Sequence, residues 1–364
     1  MKTQSKKLWI VVLIITQLLA CQKELDTIQF DGTFIESGSA IVVNEGSFGN
    51  NNASASFISR NGVVSNNIYS TINGGAVLGD VFQSYFVVGT KGICILNNSK
   101  KIEIVDARSF RNIGTIIDAS KITYPRYAIA QDTTKVYISN GSGAGTLVVL
   151  NPTTKTIVKT INVGNGPEQM LIANNSIYIA NSGGYGVDST VSVVSLTTEI
   201  ETQKIIVGDI PSKMVKDANG NIWVLCLGQS DYSNWPNVAK LTPSKLVKIN
   251  TSNNTVERTF TLVASGSVSY TGNLTIGNNG QTLYYSIDQN VYTLPITAST
   301  LSPTLFLSGR TFYGLSAHPN NGQLYACYAP SFSTDGYVFR YNANGLLIDS
   351  LKVGIGPNSI IFNN

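Results

Sequence analysis

Three short phrases constrain this chain more than any other feature: VGNGP from Val163 to Pro167, VGDIP from Val207 to Pro211, and VGIGP from Val353 to Pro357. The first two stand 44 residues apart and share the pattern V-G-x-x-P. Each opens a unit that runs short apolar strand, polar turn, aromatic-centred strand, loop, alternating strand, Thr/Asn-rich turn and last strand. One unit shows the order well, as YPRYAIA, VYISN, TLVVLN and TIVKTI. The aromatic of the second strand recurs as Tyr137, Tyr178, Trp223, Tyr284 and Tyr325. The runs are rich in Val, Ile, Thr and Tyr and bounded by Asn, Gly and Pro, as strands are. No window sustains a helical period with caps. Four-strand units at this period are the signature of propeller blades.

First strands begin near Asp80, Tyr124, Pro167, Pro211, Tyr270, Phe312 and Pro357. The last start is followed only by NSIIFNN, enough for one strand, while the N-terminal segments IVVNEG, ASASFIS and VVSNNIY supply three. The expectation is all-β: a seven-bladed β-propeller of four-stranded antiparallel blades over residues 40–364, its first blade closed by the C-terminal strand. Closure would remove the two sheet edges that otherwise invite aggregation. In the V-G-x-x-P step, Gly is expected to permit an unusual backbone angle and Pro to set φ where a strand begins.

The chain opens with MKTQSKKLWIVVLIITQLLAC, a basic start and an apolar run from Leu8 to Ala20 that is too short to span a bilayer. This has the form of a signal peptide over residues 1–20. Leu18-Leu19-Ala20-Cys21 resembles a bacterial lipobox, which implies lipidation at Cys21 and a flexible tether over residues 21–39. Gln22-Lys23-Glu24-Leu25-Asp26 resembles the short charged export signals of Bacteroidetes lipoproteins, which implies an outer-membrane, cell-surface location with the chain held by its lipid anchor. Three of the lysines, Lys2, Lys6 and Lys7, fall in the acid-free leader, so the rest of the chain is nearly balanced in charge. It offers no electrostatic footprint for nucleic acid.

Strand parity decides which loops share a face. Blade-to-blade connections and second-to-third-strand loops fall on one side, and the short turns DTTK, PTTK, LTTE, NNGQ and NANG on the other. On the first side the loops vary from tight, NGSGAG and IDQN, to long, NEGSFGNNNA, NSGGYGVDST, LGQSDYSNWPNVAKLTPS and APSFSTDG. Variation confined to one face marks the side where function is carried. The loops bring Phe48, Tyr185, Asp231, Tyr232, Trp235 and Phe332, and the inner-strand starts bring Gln83, Tyr124, Arg126, Gln169, Tyr270, Arg310, Phe312 and Tyr313. Aromatics interleaved with amides and a few charges suit a binding surface. Some of these side chains would instead cap the hydrophobic ends of blades.

Catalytic chemistry has little to work with. His318, the sole His, falls in the turn AHPNNGQLY on the opposite face, and a hydrolase needs a positioned nucleophile and base. Cys94, Cys226 and Cys327 lie in strands of different blades and read as small buried hydrophobes. No cofactor motif is present. Asp188, Asp231 and Asp335 sit in separate loops of the variable face, which leaves a calcium site open as an alternative.

The repeats resemble the YVTN-type seven-bladed propeller family over nearly the whole chain after about Ala40. More narrowly, NEGSFGNNNASASF, NNSKKIEIVDARSFRNIGTI and YIANSGGYGVDSTVSVVSL look like the YncE-like surface lipoproteins of Bacteroidetes, a group that includes BtuG-like, cobalamin-capturing members. The resemblance implies a non-enzymatic role: capture of a small ligand, such as a corrinoid, on the long-loop face, and its transfer to a TonB-dependent outer-membrane transporter. Two alternatives remain at this point, a protein- or glycan-interaction propeller without a small ligand, and a lactonase-type enzyme.

Overall fold

The computed structural model describes residues 33–363; the leader, Cys21 and the charged segment after it lie outside them. Seven four-stranded antiparallel sheets form the blades of a propeller. Blade one consists of Ala40–Asn44, Ser54–Ile58 and Val64–Ser65, with Pro357–Phe362 added as its innermost strand. That last strand runs antiparallel to the first, with Ile41 opposite Ile361 and Val42 opposite Ile360. Inner strands of blades two to seven begin at Phe82, Pro125, Pro167, Pro211, Thr271 and Gly314. The blade count and the closing strand are those expected from the repeats.

The core lies between blades. In blade three, Tyr137 packs among blade-four side chains including Ile177 and Ile179. Its neighbours Val136 and Ile138 face the other way, into a cluster with Ile93, Ile95 and Ile104 of blade two. A strand whose alternate residues meet different neighbours is apolar on both faces, so these second strands read as continuous buried runs. The aromatics find polar partners at their tips: Trp223 Nε1 donates to Asp217 at 3.0 Å, and the Tyr178 hydroxyl to the Thr251 carbonyl at 3.3 Å. Cys94, Cys226 and Cys327 are buried free thiols, and burial pushes each of them up.

Three local readings change. Of VVSNNIY only Val64–Ser65 pairs as strand; the chain then turns through Asn67, at φ 54°, into a short helix, Ile68–Ile72, that buries Ile68 and Tyr69. Packing of those two side chains outweighs extension of an already marginal outer strand. The body also reaches into the segment read as tether. Phe34 is buried, edge-on to Phe57 at 5.3 Å and Phe110 at 6.0 Å, and its N–H donates to the Arg108 carbonyl.

The V-G-x-x-P glycines, finally, are required for a different reason at two of the three steps. At Gly164 a Cβ would fall 2.2 Å from the Asn181 side chain, and at Gly354 one would fall 2.5 Å from Ser54 Oγ and 2.8 Å from Asn44 Nδ2. Close approach to a buried amide, not backbone angle, excludes a side chain there. The left-handed residue is the fourth of the motif, Gly166, Ile210 or Gly356. Ile210, at φ 56°, is a β-branched residue in a conformation that disfavours it.

Ion pairs tie neighbouring blades on the short-turn face. Glu199, in a turn of blade four, meets Lys135 at 2.8 Å and Lys159 at 2.5 Å from blade three and accepts from the Tyr137 hydroxyl at 3.0 Å. Burial works against its charge, but these donors outweigh it and hold the carboxyl down at about 2. A depressed carboxylate stabilises the fold fully above its ordinary value near 4.5 and loses that contribution as pH falls toward 2. Glu199→Gln should therefore lower stability at pH 7 by about 1–3 kcal/mol. The deficit should shrink in urea titrations carried down through that acidic window.

Candidate ligand-binding site

The variable face carries a cavity of about 820 Å³ at the mouth of the ring. Its walls are made by a recurrent backbone device. In six of the seven inner strands the register shifts by one residue near the start: after Phe82, Pro125, Pro167, Pro211, Thr271 and Pro357. A bulge of this kind adds an unpaired residue and re-aims side chains. The residues at or beside these shifts, Gln83, Arg126, Glu168, Gln169, Ser212, Lys213, Gly272, Asn273, Asn358 and Ser359, all line the cavity.

Their polar groups form a network across blades. Arg126 Nε donates to both Glu168 oxygens, at 3.1 and 3.0 Å, and Nη1 donates to Gln83 Oε1. Gln83 Nε2 in turn reaches the Tyr127 hydroxyl at 3.4 Å, and Lys213 Nζ donates to the same oxygen at 3.1 Å. Burial opposes the Arg126 charge, yet Glu168 outweighs it and raises the guanidinium further. Lys213 is likewise raised, its burial offset by Tyr127 and Glu168. Across the mouth, Glu45 accepts from the Tyr313 hydroxyl at 2.8 Å and from Asn358 Nδ2 at 2.9 Å. Burial and the Glu45 carboxylate together push the Tyr313 phenol well up. Gln169 is partly spent on the scaffold, accepting the Met214 N–H at 2.8 Å.

Aromatic rings surround this floor. Phe48 is 76% exposed and Phe332 48%, and Phe332 meets Tyr313 edge-on at 5.1 Å. Tyr124 and Tyr270 line the cavity as well, and burial raises both phenols. Phe312 touches the cavity but is otherwise core, packed on Phe339 and Tyr341. Among the sequence candidates, Phe48, Gln83, Tyr124, Arg126, Gln169, Tyr270, Phe312, Tyr313 and Phe332 are thus brought together. Tyr185 is 84% exposed and stands beside the lining, its ring 5.8 Å from that of Tyr124.

Four further candidates are not in the lining either. Arg310 lies over the rings of Phe339 at 4.0 Å and Tyr328 at 4.9 Å. Asp231, Tyr232 and Trp235 belong to the long loop of blade five, which forms its own two-stranded ribbon, Ser230–Asp231 with Ala239–Lys240. Asp231 accepts the Ser233 N–H at 2.9 Å there. Asp188 is bonded within its own neighbourhood, to Thr190 and Asn165, and Asp335 pairs with Lys352 at 3.0 Å. The described residues contain no cluster of three or more His, Cys, Asp or Glu able to hold a metal. His318 packs on Phe362 at 4.8 Å, and burial lowers its pKa.

Glu45, Tyr127, Glu168, Lys213 and Asn358 were missed by sequence reasoning. Glu168 and Asn358 each follow a blade-opening Pro, as Arg126 does, so that offset was the available signal. Breaking the Arg126–Glu168 pair from one side should be costly, because both groups are largely buried. Arg126→Met is expected to destabilise by about 3 kcal/mol, and adding Glu168→Met to recover much of that loss in a double-mutant cycle read by denaturant unfolding.

Residues 38–355 match the family described as Domain of unknown function (DUF5074). No curated protein matches the sequence. Among solved structures, the chain is similar to a quinoprotein alcohol dehydrogenase-like protein from Bacteroides thetaiotaomicron, at TM-score 0.65 and 16% identity over 92% of this chain and 80% of that one. A functionally unknown protein from Desulfotomaculum acetoxidans gives TM-score 0.61 and 14% identity over 90% and 99%. Hydrazine synthase from Kuenenia stuttgartiensis gives 0.57 and 14% over 74% and 86%. At these identities the likeness is one of fold.

Proposed function

This chain belongs to the DUF5074 family, and we propose that its propeller captures a small ligand at the ring mouth without transforming it. The observation that carries the reading is the cavity itself: an aromatic rim of Phe48, Tyr270, Tyr313 and Phe332 around a polar floor of Gln83, Arg126, Gln169 and Asn358. Its volume falls within the range of small-molecule sites. Rings supply area at low entropic cost, and amides and charged groups fix orientation. The sole His stands away from this lining, and the cavity's charged groups, Arg126 paired with Glu168, Lys213 on the Tyr127 hydroxyl and Glu45 on Tyr313 and Asn358, do not set a nucleophile beside a base.

A corrinoid suits such a mouth, because it is broad, partly apolar and fringed with amides that Gln and Asn side chains can meet. In this reading the leader and Cys21 anchor the protein to the outer membrane at the cell surface, and the bound ligand passes to a TonB-dependent transporter. The resemblance of the leader to a lipobox and of the repeats to YncE-like lipoproteins supports that placement. A second reading has one observation in its favour. Tyr232 and Trp235 are exposed on the blade-five loop and take no part in the cavity lining, which suits contact with a protein or glycan partner.

Titration calorimetry of cyanocobalamin into the purified chain separates the two. Capture predicts one-to-one binding that Phe332→Ala weakens about tenfold, in line with loss of one aromatic anchor, and that Trp235→Ala leaves intact. Absence of binding, together with a membrane partner whose capture depends on Trp235, would reverse the order of the readings.

A further inference from the structure

The charges around the cavity do not cancel evenly. Two cations line it, Arg126 and Lys213. Arg126 is neutralised by Glu168, whereas Lys213 has no carboxylate within ion-pair distance among the described residues and rests on the Tyr127 hydroxyl at 3.1 Å, with its ammonium 5.5 Å from that ring. The acceptor positions of that hydroxyl are both filled. It accepts from both Lys213 and Gln83, and the Gln83 amide is held in that orientation because its oxygen accepts from Arg126. The hydrogen of the Tyr127 hydroxyl therefore has no acceptor among the described residues. A lysine ammonium carries three donors, and one is used here.

Spare donors on a cation that has no direct ion-pair partner make a receptor for an anion. Such charge-assisted hydrogen bonds are the strong ones in a half-buried site. The opposite wall sets the direction. Glu45, in blade one, holds its charge against two neutral donors, Tyr313 and Asn358. It lies three blades from Lys213, the greatest separation a seven-membered ring allows, so an anion is drawn to the blade-five side and repelled from blade one.

We propose that Lys213 and Tyr127 form the docking point for a single anionic group, a carboxylate or a phosphate ester, on the ligand that this cavity takes. The inference rests on the capture reading, since both concern one cavity, but it does not require a corrinoid. A cobalamin would present its phosphodiester at this point; another ligand would present a carboxylate.

The test uses thermal unfolding of the purified chain with benzoate, phenyl phosphate or the neutral isostere benzamide, at fixed ionic strength. Benzoate and phenyl phosphate should stabilise the protein with apparent affinities at least about tenfold above benzamide. Lys213→Met should erase that preference and Lys213→Arg keep part of it. Should Lys213→Met fail to fold, Tyr127→Phe provides the second arm, with anion affinity falling severalfold and benzamide unaffected. Equal stabilisation by benzamide and benzoate, or an undiminished preference in both Lys213→Met and Tyr127→Phe, overturns the proposal. Cyanocobalamin binding that is indifferent to Lys213→Met overturns anion docking and leaves capture standing. A Lys213-dependent benzoate effect without cyanocobalamin binding does the reverse to the corrinoid reading and upholds the anion site.

Discussion

A ring of sheets holds together only where its two ends meet, and here the join is five residue pairs between Ala40–Asn44 and Pro357–Phe362. Every other blade is built from one continuous stretch of the sequence, blade five with its ribbon inserted between the second and third strands. Blade one alone combines segments from opposite ends of the chain. The hydrophobic clusters lie between blades rather than within them, so each blade depends on having a neighbour on both sides. Without the join, blades one and seven would each present an apolar face and an unpaired edge to water. The closing strand therefore contributes to every interface around the ring, although it touches few of them directly.

The same closure places the site. The bulged inner strands converge on the mouth, and six of them admit an extra residue there. Residues near these bulges carry the hydrogen bonds that cross from blade to blade: Ser84 to the Arg126 carbonyl, Asn97 to the Pro125 carbonyl, Gln169 to the Met214 N–H. The polar groups of the floor are thus divided between holding the ring in register and facing the cavity. That division explains why Arg126 and Glu168 pair with each other while Lys213, whose ammonium meets the Tyr127 hydroxyl and no carboxylate among the described residues, stands out.

Blade count and order were legible because the V-G-x-x-P step and the second-strand aromatics repeat at fixed offsets. Tyr137, Tyr178 and Trp223 must be apolar-bodied to fill the space between blades. The mouth was legible in part. Gln83, Arg126 and Gln169 stand out as long polar side chains at strand starts. Glu168 and Lys213 do not, because in an alternating strand a charged residue next to an apolar one reads as solvent-facing, and only the bulge turns it inward. The exposed aromatics of the blade-five loop were grouped with the mouth by parity alone. The ribbon formed by Ser230–Asp231 and Ala239–Lys240 gives that loop a structure of its own, which no spacing in the chain announces. The glycines of the repeat were recognised for the wrong cause at Gly164 and Gly354, since the amides they must clear, Asn181 and Asn44, are distant in sequence or in another segment.

The bulges have a consequence for how such a scaffold diversifies. A residue left out of the ladder can be exchanged without disturbing the ladder's hydrogen bonds, so each bulged blade contributes a letter to the mouth, although Gln83, Arg126 and Glu168 are tied to one another and change together. In this chain the letters at the position after each bulged inner-strand opening are Gln83, Arg126, Glu168, Ser212, Gly272 and Asn358, while in the blade that lacks a register shift Tyr313, just before the strand, lines the mouth. Chains sharing the same blades can spell different words around the same ring. The word, more than the overall sequence identity, is then the unit in which chemical preference would be inherited or rewritten.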